Sequence, residues 1–319
     1  MRLRPDPFIV ALLVTAIVAG LLPAQGGALD VLKVSAKIAV GLLFFLYGAR
    51  LSTTDTISGL RSWRLHAAIL ATTFVAFPLL GVGLRVLRPH VLTPELYTGV
   101  LLLCLVPSTV QSSVAFTAIA RGNVAGAVVS ASMSNLLGVF LTPLLVAMLL
   151  HSSGSAQVGA GSVVKIVLQL FVPFVLGQLS RPLIGPWVAR QHSRLRIYDR
   201  SSILLIVYVA FSEGTNADVW SQLDAWSLTS LAIVCLAVLA VVMGLTVAIG
   251  RLWSFSRGDK ITLLFCGSKK SLASGLPMAT VLFAGQDVAL IILPLMLFHQ
   301  LQLIVCAFIA SRLSRTAPT

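Results

Sequence analysis

The chain has 319 residues, of which 57% are hydrophobic and 10% charged, and its mean hydropathy is +0.98. A soluble globular domain carries about 25% charged residues, so this composition excludes one and defines a polytopic membrane protein. The formal net charge is +13, but the basic residues are scattered between apolar stretches. That pattern points to membrane lipid headgroups as the counter-charge and to no nucleic acid partner.

At about 20 apolar residues per span, the sequence predicts an all-α membrane protein with ten transmembrane helices. In chain order they cover 7–25, 32–50, 66–87, 96–120, 123–150, 162–183, 200–219, 227–250, 261–285 and 288–311. No convincing cleavage site follows the first before Gly26-Gly27, so it is expected to be retained. Cys104, Cys235, Cys266 and Cys306 lie in apolar stretches without CxxC spacing and indicate neither a zinc site nor a disulfide framework.

Orientation follows from Lys and Arg. Sixteen of the 23 fall in the loops on one side, among them Arg2, Arg4, Arg50, Arg61, Arg64, Arg194, Arg251 and Arg312. Five fall on the other side, Lys33, Lys37, Arg85, Arg88 and Lys165, and two lie at depth. Both termini are therefore expected in the cytoplasm.

Two apolar segments are interrupted. The fourth carries Val106-Pro107-Ser108-Thr109-Val110-Gln111-Ser112-Ser113, and the ninth carries Cys266-Gly267-Ser268-Lys269-Lys270-Ser271-Leu272-Ala273-Ser274-Gly275. A charge inside a span costs at least about 2.5–3.5 kcal/mol, so Lys269 and Lys270 should face a partner, a cavity or an ion path. Backbone released at membrane depth must be covered by protein or by a water-filled cavity, so the two breaks are expected to touch. Gly122 and Gly285, which close the two segments, are 163 positions apart. That spacing suggests an inverted repeat of two five-helix halves, 1–155 and 156–319, with the interrupted pair marking a secondary transporter's site.

Gly267 to Met278 with Phe283-Ala284-Gly285, the Ala120-Arg121-Gly122-Asn123-Val124 turn and Leu141-Thr142-Pro143 together resemble the bile acid:sodium symporter family, solute carrier family 10. They look like its member-7 branch and bacterial relatives, and the resemblance makes a bacterial inner (plasma) membrane the expected location. The resemblance implies a panel domain from helices 1, 2, 6 and 7, a core domain from helices 3–5 and 8–10, and unwound helices 4 and 9 crossing with two sodium ions behind them. Carried over, the family's ion-binding positions fall on Thr73, Ser112, Ser113, Ser130, Ser268 and Leu272. The family's glutamate is Ser268 here and is followed by Lys269 and Lys270. Tightly bound sodium is therefore not expected. A lysine ammonium reaching oxygens of Ser112, Ser113 or Ser130 is expected in its place, with no other cofactor and no metal.

Ser108, Thr109, Gln111, Ser271, Ser274 and Gly275 are candidates to line the crossover, or else only satisfy backbone freed by Pro107. Glu213 either meets a cationic group where Gly214-Thr215-Asn216 is expected to break the seventh helix, or caps a solvated helix end. His299, Gln300 and Gln302 read as interhelical glue. No GxSxG, HExxH or phosphate-loop motif is present, so an enzyme is not expected. The function expected is transport of a small organic solute, an organic anion for choice, by alternating access, in a monomer or homodimer. The alternatives are a sodium-coupled symporter of the same fold, a channel, or a membrane regulator of ion handling.

Overall fold

The computed structural model describes residues 7–50, 62–88, 90–151 and 160–315. Arg2, Arg4, Arg61 and the 155/156 boundary lie outside them. Among the described residues every regular element is helical. The helices are α1 (Pro7–Leu21), α2 (Gly26–Arg50), α3 (Trp63–Leu87), α4 (Pro94–Leu105), α5 (Gln111–Ile119) and α6 (Val124–His151). They continue with α7 (Ala160–Arg190), α8 (His192–Asn216), α9 (Ala225–Leu252), α10 (Arg257–Gly267), α11 (Leu272–Leu282) and α12 (Val288–Arg315). α3, α6, α9 and α12 are each long and apolar enough to cross a membrane.

The chain divides into two compact units. The first holds Met1–Leu51, Val158–Asp224 and Leu276–Ile292; the second holds Ser52–Gln157, Ala225–Gly275 and Leu293–Thr319. In the first, α2 and α7 approach through reciprocal glycines. Gly48 faces the carbonyl of Phe174 and Gly177 faces that of Phe45, so closely that a β-carbon on either would collide with backbone. Lipid offers no hydrophobic force between helices, and small residues that admit such backbone contact are what holds them. α8 fastens the α1–α2 connection: Tyr208 donates to the carbonyl of Leu22 at 2.9 Å, and Asn216 Nδ2 to that of Ala24 at 2.8 Å.

α7 and α8 differ from the predicted spans. α7 runs on through Pro182 and Pro186 to Arg190, and α8 begins at His192, ahead of Arg194, Arg196 and Asp199. Hydropathy ends a span at its charges, whereas packing extends it: Leu46, Ala49, Val188 and Leu195 form one buried cluster. Beside them Arg50 binds Asp199 through both terminal nitrogens, at 2.6 and 3.2 Å. The other end of α8 also departs from expectation. The helix continues through Gly214 to Asn216, with the Thr215 hydroxyl donating to the carbonyl of Phe211 at 2.9 Å, and the turn comes at Asp218, whose φ is +52°.

In the second unit, Leu65, Ala68, Ile69, Ala127, Leu263 and Cys266 pack α3, α6 and α10 together. The turn after α5 docks on the start of α10. Asn123 Nδ2 donates to Asp259 at 2.8 Å, and Thr262 donates to the carbonyl of Asn123 at 2.9 Å. Ser256 accepts the amide of Asp259 at 3.1 Å and so caps α10.

Candidate functional site

Helix ends at 105 and 267 release peptide groups that must find partners away from water. After α4, residues 106–110 are not helical; after α10, neither are residues 268–271. These are the two interruptions read from the sequence, and they satisfy one another. The amide of Ser271 donates to the carbonyl of Pro107 at 2.8 Å. Ser108 Oγ donates to the carbonyl of Cys266 at 2.6 Å, and Ser113 Oγ to that of Phe265 at 3.1 Å.

α6 supplies the rest. Thr142 donates to the carbonyl of Leu105 at 2.8 Å, Asn135 to that of Ser108 at 2.7 Å, and Ser134 Oγ accepts the amide of Ser108 at 3.0 Å. Gly138 gives the ring of Pro107 its space. Asn135 also accepts from Ser274 Oγ at 2.7 Å, so one α6 side chain ties both breaks.

Lys270 is fully buried, and its Nζ donates to three backbone carbonyls: Thr73 at 3.0 Å, Cys104 at 2.9 Å and Val106 at 2.8 Å. Three acceptors match the three hydrogens of an ammonium. The ring of Phe77 lies 4.1 Å from Nζ, centroid to nitrogen. Cys104 lies in the last turn of α4, where carbonyls have no helical donor.

Thr73 is freed differently. In α3, Thr72–Ala76 form a wider π turn in which the amide of Phe77 donates to Thr72. The next donor in that register would belong to Pro78, which has none. Its missing N–H leaves the Thr73 carbonyl for Lys270.

Lys269 is equally buried, but its Nζ has no hydrogen-bond partner among the described residues and lies 3.8 Å from the centroid of Phe116 and 5.9 Å from that of Phe265. Ser112, one turn before Phe116, also has a buried hydroxyl without a partner among them.

The expected reach of a lysine to Ser112, Ser113 or Ser130 is corrected by this geometry. Ser113 is spent on Phe265, and Ser130 Oγ lies 2.7 Å from His66 Nδ1. The break instead offers carbonyls, which accept without competing as donors. Thr73 contributes its backbone oxygen, because its hydroxyl returns to Ile69 at 2.8 Å. Ser268 turns back to Leu264 at 2.5 Å, and Leu272 is buried. Thr109 is half-buried and Gln111 exposed at the start of α5. Ser271 Oγ accepts the amide of Ser274 at 3.2 Å, and Gly275 fits between Leu295 and Val106. Glu213 belongs to the first unit, where it pairs with Lys33 at 2.8 Å, both half-exposed.

Asn135 and Ser134 carry no sequence motif and Thr142 entered only through Leu141-Thr142-Pro143, without a site role, although polar residues recurring along the apolar α6 were a usable signal. Gln302 was read only as glue. It pairs with both the amide and the carbonyl of Lys270, each at 2.9 Å.

Two mutually satisfied helix breaks around a buried lysine, in a chain whose described elements are all helical and include several apolar spans, belong to the membrane transporters. The SBF-like CPA transporter family model matches residues 6–315, and the chain belongs to that family. It is 50% identical to the uncharacterized protein PA2026 of Pseudomonas aeruginosa over 98% of this chain and 94% of the relative. It is 46% identical to YfeH of Escherichia coli (strain K12), named as a symporter, over 97% and 93%. To sodium/bile acid cotransporter 7 of Xenopus tropicalis it is 30% identical over 95% and 90%. The resemblance to the bile acid:sodium symporters and their member-7 branch is thereby borne out.

Proposed function

We propose that the chain is a secondary transporter of a small organic anion, working by alternating access, in which Lys270 stands where a sodium ion would bind. The observation that carries this reading is the cradle of three carbonyls, Thr73, Cys104 and Val106, around the Lys270 ammonium. Oxygens freed by broken helices are what a monovalent cation needs in such folds, and a tethered ammonium satisfies them in every cycle. The choice of an anion is supported by Lys269, whose Nζ has no acceptor among the described residues, and by the positive N-terminal end of α5.

In this reading α4 with α5, and α10 with α11, are each one broken pass, which makes ten passes in two inverted halves. α1, α2, α7 and α8 form the panel and the remaining helices the core. Both termini lie in the cytoplasm of a bacterial inner membrane, and the working form is a monomer or homodimer.

The test is uptake and counterflow by the purified protein in liposomes, with a panel of radiolabelled small carboxylates and a bile acid. Saturable exchange of at least one, unchanged when sodium is replaced by choline and reduced at least tenfold by Lys270→Met, is expected. Strict sodium dependence would restore the sodium symporter, an ohmic current would establish a channel, and no flux of any probe would leave a regulator of ion handling.

A further inference from the structure

Lys270 is gripped a second time, through its peptide group. Gln302, fully buried on α12, accepts the amide of Lys270 at Oε1 and donates from Nε2 to its carbonyl, both at 2.9 Å. A backbone N–H and C=O on the same residue leave only one orientation for the side-chain amide, so the identity of Nε2 follows from chemistry rather than from assignment. The second hydrogen of that Nε2 points to His299 Nδ1, 2.8 Å away on the same helix. An amide nitrogen has no lone pair to offer, so the ring nitrogen must be the acceptor.

We infer that His299 and Gln302 are positioning residues for Lys270: His299, held as the neutral tautomer with its proton on Nε2, orients Gln302, which clamps the peptide group of Lys270. The chain of consequence runs outward from α12. Without the His299 acceptor, one Nε2 hydrogen of Gln302 is left unpaired in a buried site, and the amide gains a reason to rotate. Rotation would set donor against donor at the Lys270 amide. The second break would then lose the residue that holds it to α12, and the ammonium would no longer be aimed at its three carbonyls. The functional meaning of the clamp rests on the reading of Lys270 as resident cation; its existence does not.

The experiment uses the full chain in lipid nanodiscs. Nitrogen-15 spectra of histidine-labelled protein contain five side chains, and His299→Asn identifies the signals of His299. An unprotonated Nδ1 with a protonated Nε2 is expected, and a protonated Nδ1 would overturn the inference on the unmodified protein alone. Hydrogen exchange at the Lys270 amide gives the second readout. Asn places an oxygen near the lost Nδ1, so His299→Asn should keep the protection, whereas His299→Leu should lose about tenfold, the worth of one net hydrogen bond. Equal protection in the Asn and Leu variants would sink the positioning role. Lys270→Met retains the backbone clamp and should leave the His299 tautomer unchanged. A Lys270→Met protein that still transports therefore counts against the resident cation and not against the clamp.

Discussion

Lys270 donates to three carbonyls and lies against Phe77, whereas Lys269, one residue earlier and as deeply buried, lies against Phe116 and finds no acceptor among the described residues. Successive residues of a non-helical segment point in different directions, so the break sends one ammonium toward α3 and α4 and the other toward α5. α3 and α4 have carbonyls to spare, one left by Pro78 and others by the helix end. α5 meets Lys269 in its second half with the ring of Phe116, which offers a π face and no hydrogen-bond acceptor of its own. Two identical side chains thus acquire a structural part and an unsatisfied part according to what the facing helices offer them.

The largest expected effect breaks that comparison directly. Lys270→Met leaves three buried carbonyls unpaired and should lower stability by about 3–5 kcal/mol, the scale seen when one partner of a buried charged interaction is removed. Lys269→Met removes a group with no hydrogen bond to lose and should stay within about 1 kcal/mol. Denaturation of both variants in the same detergent decides the matter, and equal losses would erase the distinction drawn between the two lysines.

A smaller effect sharpens it. Pro78→Ala supplies the N–H that α3 lacks, which then competes with Lys270 for the carbonyl of Thr73. In the unmodified background the cost should be about 1 kcal/mol, part of it from the freer unfolded chain. In the Lys270→Met background the same change should be stabilising, because the new donor pairs an orphaned carbonyl. A double-mutant cycle measures that reversal of sign. Additive effects would mean that Pro78 does not hold the carbonyl open for the lysine.

The smallest effect belongs to the first unit. Lys33 and Glu213 are 37% and 41% exposed at the side chain, so Glu213→Gln should cost less than about 1 kcal/mol and the loss should shrink in high salt. A loss as large as that of Lys270→Met would give this pair a weight the geometry does not.

Much of the arrangement was legible because the bilayer reads sequence harshly. A run such as Pro107 to Val110, or Ser268 to Ser271, cannot stay helical against lipid, and both breaks stand where hydropathy and small polar residues put them. The ends of α7 and α8 were not legible, since a charged helix end held by Arg50 and Asp199 looks like a loop to any hydropathy window. Nor was the use made of Ser130, Ser113 and Thr73. Hydroxyls in a membrane helix are as ready to bond a carbonyl one turn back as to bind an ion, and their residue types do not say which.

By itself the sequence determined that this chain lives in a membrane, that two of its apolar segments are broken, and that two lysines lie at the second break. Those conclusions need only the cost of moving charges and unpaired backbone out of water, which depends on composition and order along the chain. The tertiary structure decided which lysine is satisfied, by what, and from how far away in the chain. Thr73, Cys104 and Val106 meet at Lys270 only after α3 has taken a π turn and α4 has ended. A carbonyl's availability depends on the hydrogen bonds its neighbours have already made, and no single residue's identity encodes that.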